Sequence, residues 1–141
     1  MVKLSSSDQK RIIQAIHDAE MQTRAEIHVH LSRRRVKDAY AEALKVFAKY
    51  RLHQTRERNS VLILLAPKSH TFAVIGDEGI FKRVDRQWWD QVVQSMSKPL
   101  SSGDLIGGIL EGIQIVSTQL AQHFPHLTPD TNELPNNPTL D

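Results

Sequence analysis

Apolar and polar residues alternate without a break from Ala25 to Ser32, with Ala25, Ile27, Val29 and Leu31 on one side and Glu26, His28, His30 and Ser32 on the other. A period of two marks a strand with one strongly apolar face. Val61-Leu62-Ile63-Leu64-Leu65-Ala66 shows no alternation, the pattern of a central strand covered on both faces. Pro67-Lys68-Ser69-His70 reads as a turn, and Thr71 to Ile75 as the antiparallel partner in a hairpin.

Between and around these strands the apolar spacing becomes helical. Ser5, Ser6, Ser7 and Asp8 supply N-cap candidates, and Ile12, Ile13, Ile16 and Ala19 follow at helical intervals, which predicts a helix over 7–22. Val36 to Leu52 places Ala39, Tyr40, Ala43, Leu44, Phe47 and Ala48 along one side and reads as an amphipathic crossover helix. Asp85 caps a helix whose apolar side holds Val92, Val93 and Met96 and which is expected to end at Pro99. Ser101-Ser102-Gly103-Asp104 opens the last helix, with a broad apolar stripe from Leu105 to Leu120. Gly108 and Gly112 lie one turn apart in it and signal close packing, with a dimer contact as the alternative.

Strands separated by helices predict an α/β fold, a three-layer α/β/α sandwich on a short mixed β-sheet. A right-handed strand, helix, strand crossover is expected to join residues 26 to 66. Residues 1–124 form the expected domain, and Pro125, Pro129, Pro135 and Pro138 among Asn, Thr and Asp predict a disordered tail over 125–141.

A chain of 141 residues fits one domain that hides about two thirds of its unfolded surface. The net charge of +2 carries no strong nucleic-acid signal. Its distribution is more telling. Residues 33 to 58 hold nine basic and three acidic residues, and residues 85 to 141 two basic and seven acidic. The absence of cysteine removes disulfides, thiolate zinc sites and cysteine nucleophiles together. No stretch approaches the ~20 apolar residues that span a bilayer, and the expected location is cytoplasmic.

Candidate chemistry gathers where strands begin and end. Glu26 opens the first strand, Asn59 precedes the second, and Gly76-Asp77-Glu78-Gly79 follows the third, with Asp85 just downstream. Carboxylates with the exposed carbonyls of a Gly-rich turn suit calcium or magnesium. Glu26, His28 and His30 share a strand face and could ligate zinc, or simply form the polar side of a strand beneath a helix. Arg33-Arg34-Arg35 is a surface charge run suited to anionic partners, without the interleaved aromatics that stack bases. Trp88 and Trp89 point about 100° apart on a helix, so one belongs to the core and the other to the surface. Trp88 is assigned, with Arg33, Arg34 and Arg35, to partner contact.

The ordered series Thr23-Arg24-Ala25-Glu26-Ile27, Arg58-Asn59-Ser60-Val61-Leu62 and Phe72 to Ile80, then an aspartate-capped Trp-Trp helix and a Gly-spaced terminal helix, resembles the TPM domain family. The family includes thylakoid-lumen and bacterial envelope proteins. Some members bind divalent cations, and the resemblance implies that Glu26, Asn59 and Asp77 take part; with Glu78 of the acidic turn and Asp85 downstream they make up the expected metal set, for Ca2+ or Mg2+ ahead of Zn2+. Two departures are visible: Ser60 and Arg24 stand where glycine is usual.

The resulting expectation is a divalent-cation-binding interaction module with an unknown protein partner, as a monomer or weak homodimer. The alternatives are a metal-dependent acid phosphatase, which the family implies, and a metal-free adaptor for a protein or membrane surface. No Walker A sequence, Asp-x-Asp nucleophile, Cys-x5-Arg signature or Gly-x-Ser-x-Gly elbow is present.

Overall fold

A computed structural model describes residues 4–126 and 138–140. The order of elements is α1 (Ser6–Glu20), β1 (Glu26–Leu31), α2 (Ala39–Lys49), β2 (Ser60–Ala66), a 3-10 turn (Pro67–Ser69), β3 (Thr71–Gly76), α3 (Glu78–Phe81), α4 (Arg86–Ser101), α5 (Leu105–His123) and β4 (Thr139–Leu140). The sheet runs β3-β2-β1-β4, with β1 parallel to both β2 and β4, and β2 antiparallel to β3. The mixed α/β sandwich expected from the strand patterns is therefore the observed fold.

The pleat divides the core in two. Ile27, Val29 and Leu31 of β1 and Val61, Ile63 and Leu65 of β2 meet α1, α4 and α5. Leu62, Leu64 and Ile75 meet Ala39, Ala43 and Val46 of α2 on the other face. Each such side chain, once buried, contributes about 1.5–3 kcal/mol of transfer free energy, which is why the uninterrupted β2 run sits at the sheet centre. The polar side of β1 is not left to solvent. His28 and His30 are buried on the α2 side against the Tyr50 ring, with centroids 5.7 and 6.0 Å away.

Helix ends follow their caps. Ser5 and Asp8 form a capping box on α1, Asp38 caps α2, Asp85 caps α4 and Asp104 caps α5. The crossover helix accordingly starts at Ala39 rather than Val36. Pro99 does not end α4, which continues to Ser101; in the last turn a proline costs a single backbone bond, and its carbonyl still accepts from Ser102 and Asp104. Gly108 and Gly112 admit Leu100 and Met96 of α4, so the glycine-spaced face is occupied within the chain.

The acidic turn at 76–79 runs into a short helix, α3, for which no apolar periodicity speaks. Within the segment expected to be disordered, Thr139 and Leu140 pair with His30 and Leu31 as β4. Pro125 of the same segment bridges Thr23, and residues 127–137 and 141 lie outside the described residues.

Candidate functional site

Strand register assembles the rim of the sheet. Glu26 pairs with Ser60, and the backbone N–H of Asp77 donates to the Ser60 carbonyl at 2.9 Å. Val61 and Ile27 face α1, α4 and α5, so alternation sets Glu26, Ser60 and Asp77 in one row on the α2 face. All three are buried. The row lies at the N-terminal ends of the parallel strands, opposite the carboxyl ends at which open α/β sheets usually bind ligands.

Arg58 dominates this rim. Its Nε and Nη2 donate to Oδ2 and Oδ1 of Asp77 at 2.7 and 2.8 Å, and its Nη1 lies 3.6 Å from Oε1 of Glu78. Hydrogen bonding to Asp77, opposed by burial and reinforced by the charges of Asp77 and Glu78, raises its pKa above the usual arginine value. Oδ1 of Asp77 also accepts the backbone N–H of Glu78 at 2.8 Å and so caps α3. Arg58 takes a left-handed backbone, with φ of 51°. Gly79 permits that arrangement, because a Cβ at 79 would fall 2.1 Å from the Glu57 carbonyl oxygen and 2.6 Å from that of Arg58.

The other expected ligands are disposed separately. Asn59 is buried, its Nδ2 donating to the Arg24 carbonyl at 3.5 Å, while its Oδ1 has no hydrogen-bond partner among the described residues. Ser60 Oγ is in the same condition. Glu78 is mostly exposed, and Asp85 is engaged as the α4 cap through the Trp88 N–H at 3.0 Å. Among the described residues, no three His, Asp or Glu side chains are grouped so as to hold a metal ion. A cation on Asp77 would have to displace the guanidinium.

His28 and His30 share another partner. The Oγ1 of Thr139 lies 3.0 Å from His28 Nε2 and 2.7 Å from His30 Nδ1. Burial, with a smaller repulsion from His30, pushes the His28 pKa down to about 4, so that ring is neutral at pH 7.

The residues assigned to partner contact divide. Arg33, Arg34 and Arg35 are exposed beyond β1, Arg34 reaching Glu42 at 3.4 Å. Trp88 is the buried member of the tryptophan pair, at 8% exposure, and packs into the core. Trp89 stands edge-on to it at 4.6 Å and lies 5.4 Å from the Phe81 ring. A concave surface lies across α2, β3 and α3. A groove of about 410 Å³ is lined by Tyr40, Leu44, Phe47, Ile75 and Phe81, with His53, Arg58, Asp77 and Glu78 as its polar residues. Residue spacing did not mark Arg58, Ser60 or this groove as functional. The one available signal was the basic residue directly before Asn59.

The profile of the TPM domain matches residues 3–119. The chain belongs to the TPM domain family. Among solved structures it is similar to the BA42 protein of the psychrophilic bacterium Bizionia argentinensis, at 33% identity and a TM-score of 0.93, over 99% of this chain and 97% of that one. The N-terminal domain of the cg2496 protein from Corynebacterium glutamicum shares the fold at 21% identity and a TM-score of 0.65, covering 83% and 74% of the two chains. An N-terminal domain from P. gingivalis does so at 15% identity and a TM-score of 0.72, covering 90% and 83%. No curated protein matches the chain. Among the described residues of this TPM domain, no helix is long and apolar enough to cross a membrane.

Proposed function

We propose that this TPM domain is a protein-binding module and that its partner sits in the groove between α2, β3 and α3. The observation that carries this reading is the exposure of three large apolar side chains, Tyr40, Leu44 and Phe81, at 57%, 49% and 57%, around one concave surface. Apolar side chains gathered around a groove, with polar groups among them, are characteristic of interaction sites. β3 borders the groove and, among the described residues, is an edge strand hydrogen-bonded to β2 alone. Its sequence, Thr71-Phe72-Ala73-Val74-Ile75-Gly76, carries neither the charge nor the proline with which edge strands discourage pairing. A partner segment that adds to β3 would gain main-chain hydrogen bonds and place alternate side chains in the groove.

The phosphatase alternative has less support. Both carboxylate oxygens of Asp77 accept from Arg58, and the Ser60 hydroxyl is buried. An adaptor role at an anionic surface draws on the exposed run Arg33, Arg34 and Arg35; reversing those charges would abolish capture by anionic vesicles if that face were the one in use.

The groove is tested by placing a photo-cross-linking amino acid at Tyr40, Leu44 or Phe81 in the native host, with Met21, an equally exposed apolar residue, as control. A discrete adduct from the three groove positions and none from Met21 is expected. Adducts from neither set, or equally from both, would remove the groove as the partner site.

A further inference from the structure

The rim of the sheet holds oxygen donors, and a guanidinium already stands on both oxygens of Asp77. Glu26, Ser60 and Asp77 lie in one buried row, and Asn59 Oδ1 and Ser60 Oγ have no hydrogen-bond partner among the described residues. Such a set resembles the carboxylate, amide and hydroxyl oxygens that surround a hard cation. Ca2+ approaches its ligands to about 2.3–2.6 Å and Mg2+ to about 2.0–2.1 Å. At Asp77 that approach is taken by two guanidinium nitrogens, at 2.7 and 2.8 Å, one on each carboxylate oxygen.

We infer that Arg58 is an internal cation: its guanidinium stands on Asp77 where a divalent ion would bind and keeps the strand-end oxygens closed to metal. Three features hold it there. The planar fork matches the carboxylate with two parallel hydrogen bonds, an arrangement lysine cannot reproduce. The left-handed backbone of Arg58, normally disfavoured for a residue with a side chain, is secured by the Gly79 N–H donating to its carbonyl at 2.8 Å. The Asp77 backbone is fixed in turn by its N–H on Ser60 and by its carbonyl, which accepts from Ile80 and Phe81 of α3. The carboxylate and the guanidinium are thus both positioned before any ligand arrives. A free ion must displace a tethered charge as well as shed its water.

The same geometry states what removal would do. Without the guanidinium, Asp77 is a buried carboxylate in the row it shares with Ser60 and Glu26, with no compensating charge from residue 58. A buried uncompensated charge is costly and recruits a counter-ion. The divalent-cation site that the family resemblance implies is therefore latent in this chain, and Arg58 is the residue that makes it so.

The test compares the intact chain with Arg58→Asn and Arg58→Lys by following amide NMR shifts during titration with CaCl2 and then MgCl2 in phosphate-free buffer. Asparagine tolerates the left-handed backbone, and Arg58→Lys keeps the charge should Arg58→Asn fail to fold. The intact chain is expected to show no saturable shift around residues 58–60 and 76–79 at ion concentrations of about 1 mM, the range of weak protein calcium sites. Arg58→Asn is expected to bind at least about tenfold tighter than the intact chain, with Arg58→Lys between them and binding lost again when Asp77→Asn is added. Equal binding by the intact chain and Arg58→Asn would overturn the inference, as would a folded Arg58→Asn that binds neither ion. Partner contact in the groove is read separately, by cross-linking, so the two readings fail independently.

Discussion

Arg24 grips Glu57 with two hydrogen bonds, Nε to Oε2 at 2.6 Å and Nη2 to Oε1 at 2.9 Å, joining the entry of β1 to the loop that leads into β2. The same guanidinium donates to the Pro125 carbonyl at 2.9 Å and lies over the Phe124 ring, so one side chain ties the sheet rim to the end of α5. Arginine in place of the usual glycine before Ala25 and Glu26 is thereby given a structural use.

Replacing Glu57 by Gln is expected to cost about 0.5–1 kcal/mol in urea denaturation, a modest figure because both partners are partly solvated. Hydrogen bonding to Arg24, opposed by burial and aided by the charges of Arg24 and Arg83, holds the Glu57 pKa below the usual carboxylate value. A depressed carboxylate pKa stabilises the fold above the unfolded-state pKa, and the contribution is lost as pH falls through the folded-state value. The difference between the two proteins should therefore be full at pH 7 and should shrink on acidification below the ordinary glutamate pKa. A difference that does not change with pH would show that packing, not charge, holds the loop.

Gly79→Ala is expected to be among the more damaging single substitutions at the rim. Its Cβ would meet backbone oxygens of Glu57 and Arg58, which cannot rotate away as a side chain can. A loss of about 2 kcal/mol or more is expected in denaturant unfolding. Chemical shifts should report movement at Arg58 and Asp77, because the Gly79 N–H bond to the Arg58 carbonyl must lengthen. An unchanged midpoint would mean that α3 can slide away from the 57–58 loop.

His28 gives the chain a second pH dependence, of different origin. Burial, then repulsion from His30, lowers its pKa from 6.5 to about 4. The unfolded chain takes up the proton near pH 6.5 while the folded chain resists it, so stability falls as pH drops from 6.5 towards 4 and levels off below that. The full loss is roughly 3 kcal/mol, at 1.36 kcal/mol per pKa unit. Urea midpoints measured between pH 7 and pH 4 should fall in the native chain and stay flatter in His28→Gln. Parallel slopes in the two proteins would place the acid sensitivity elsewhere.

Much of the architecture follows from local patterns that the chain carries in itself. The alternation from Ala25 to Ser32 and the unbroken run from Val61 to Ala66 specify one strand with a distinct apolar side and one buried on both faces. Asp38, Asp85 and Asp104 set helix starts through side-chain bonds to backbone only two or three residues away. These are short-range effects, periodicity and capping, and they act at distances a sequence displays directly. Tertiary structure decided the chemistry of the rim. Asp77 was legible as a carboxylate at a strand end, but its partner Arg58 lies 19 residues away, and their meeting depends on β2–β3 register and on a left-handed backbone that no periodicity encodes. Register likewise put Ser60 between Glu26 and Asp77. The packing of α4 against α5 and the sheet turned Trp88 inward and left Trp89 beside Phe81. β4 shows the same division: its two residues carry no strong strand pattern, and they become a strand because β1 offers hydrogen bonds and His28 and His30 meet the Thr139 hydroxyl, contacts 109 and 111 residues apart. Local propensity could name the elements, whereas the site depended on which distant side chains the finished sheet brought within hydrogen-bond reach.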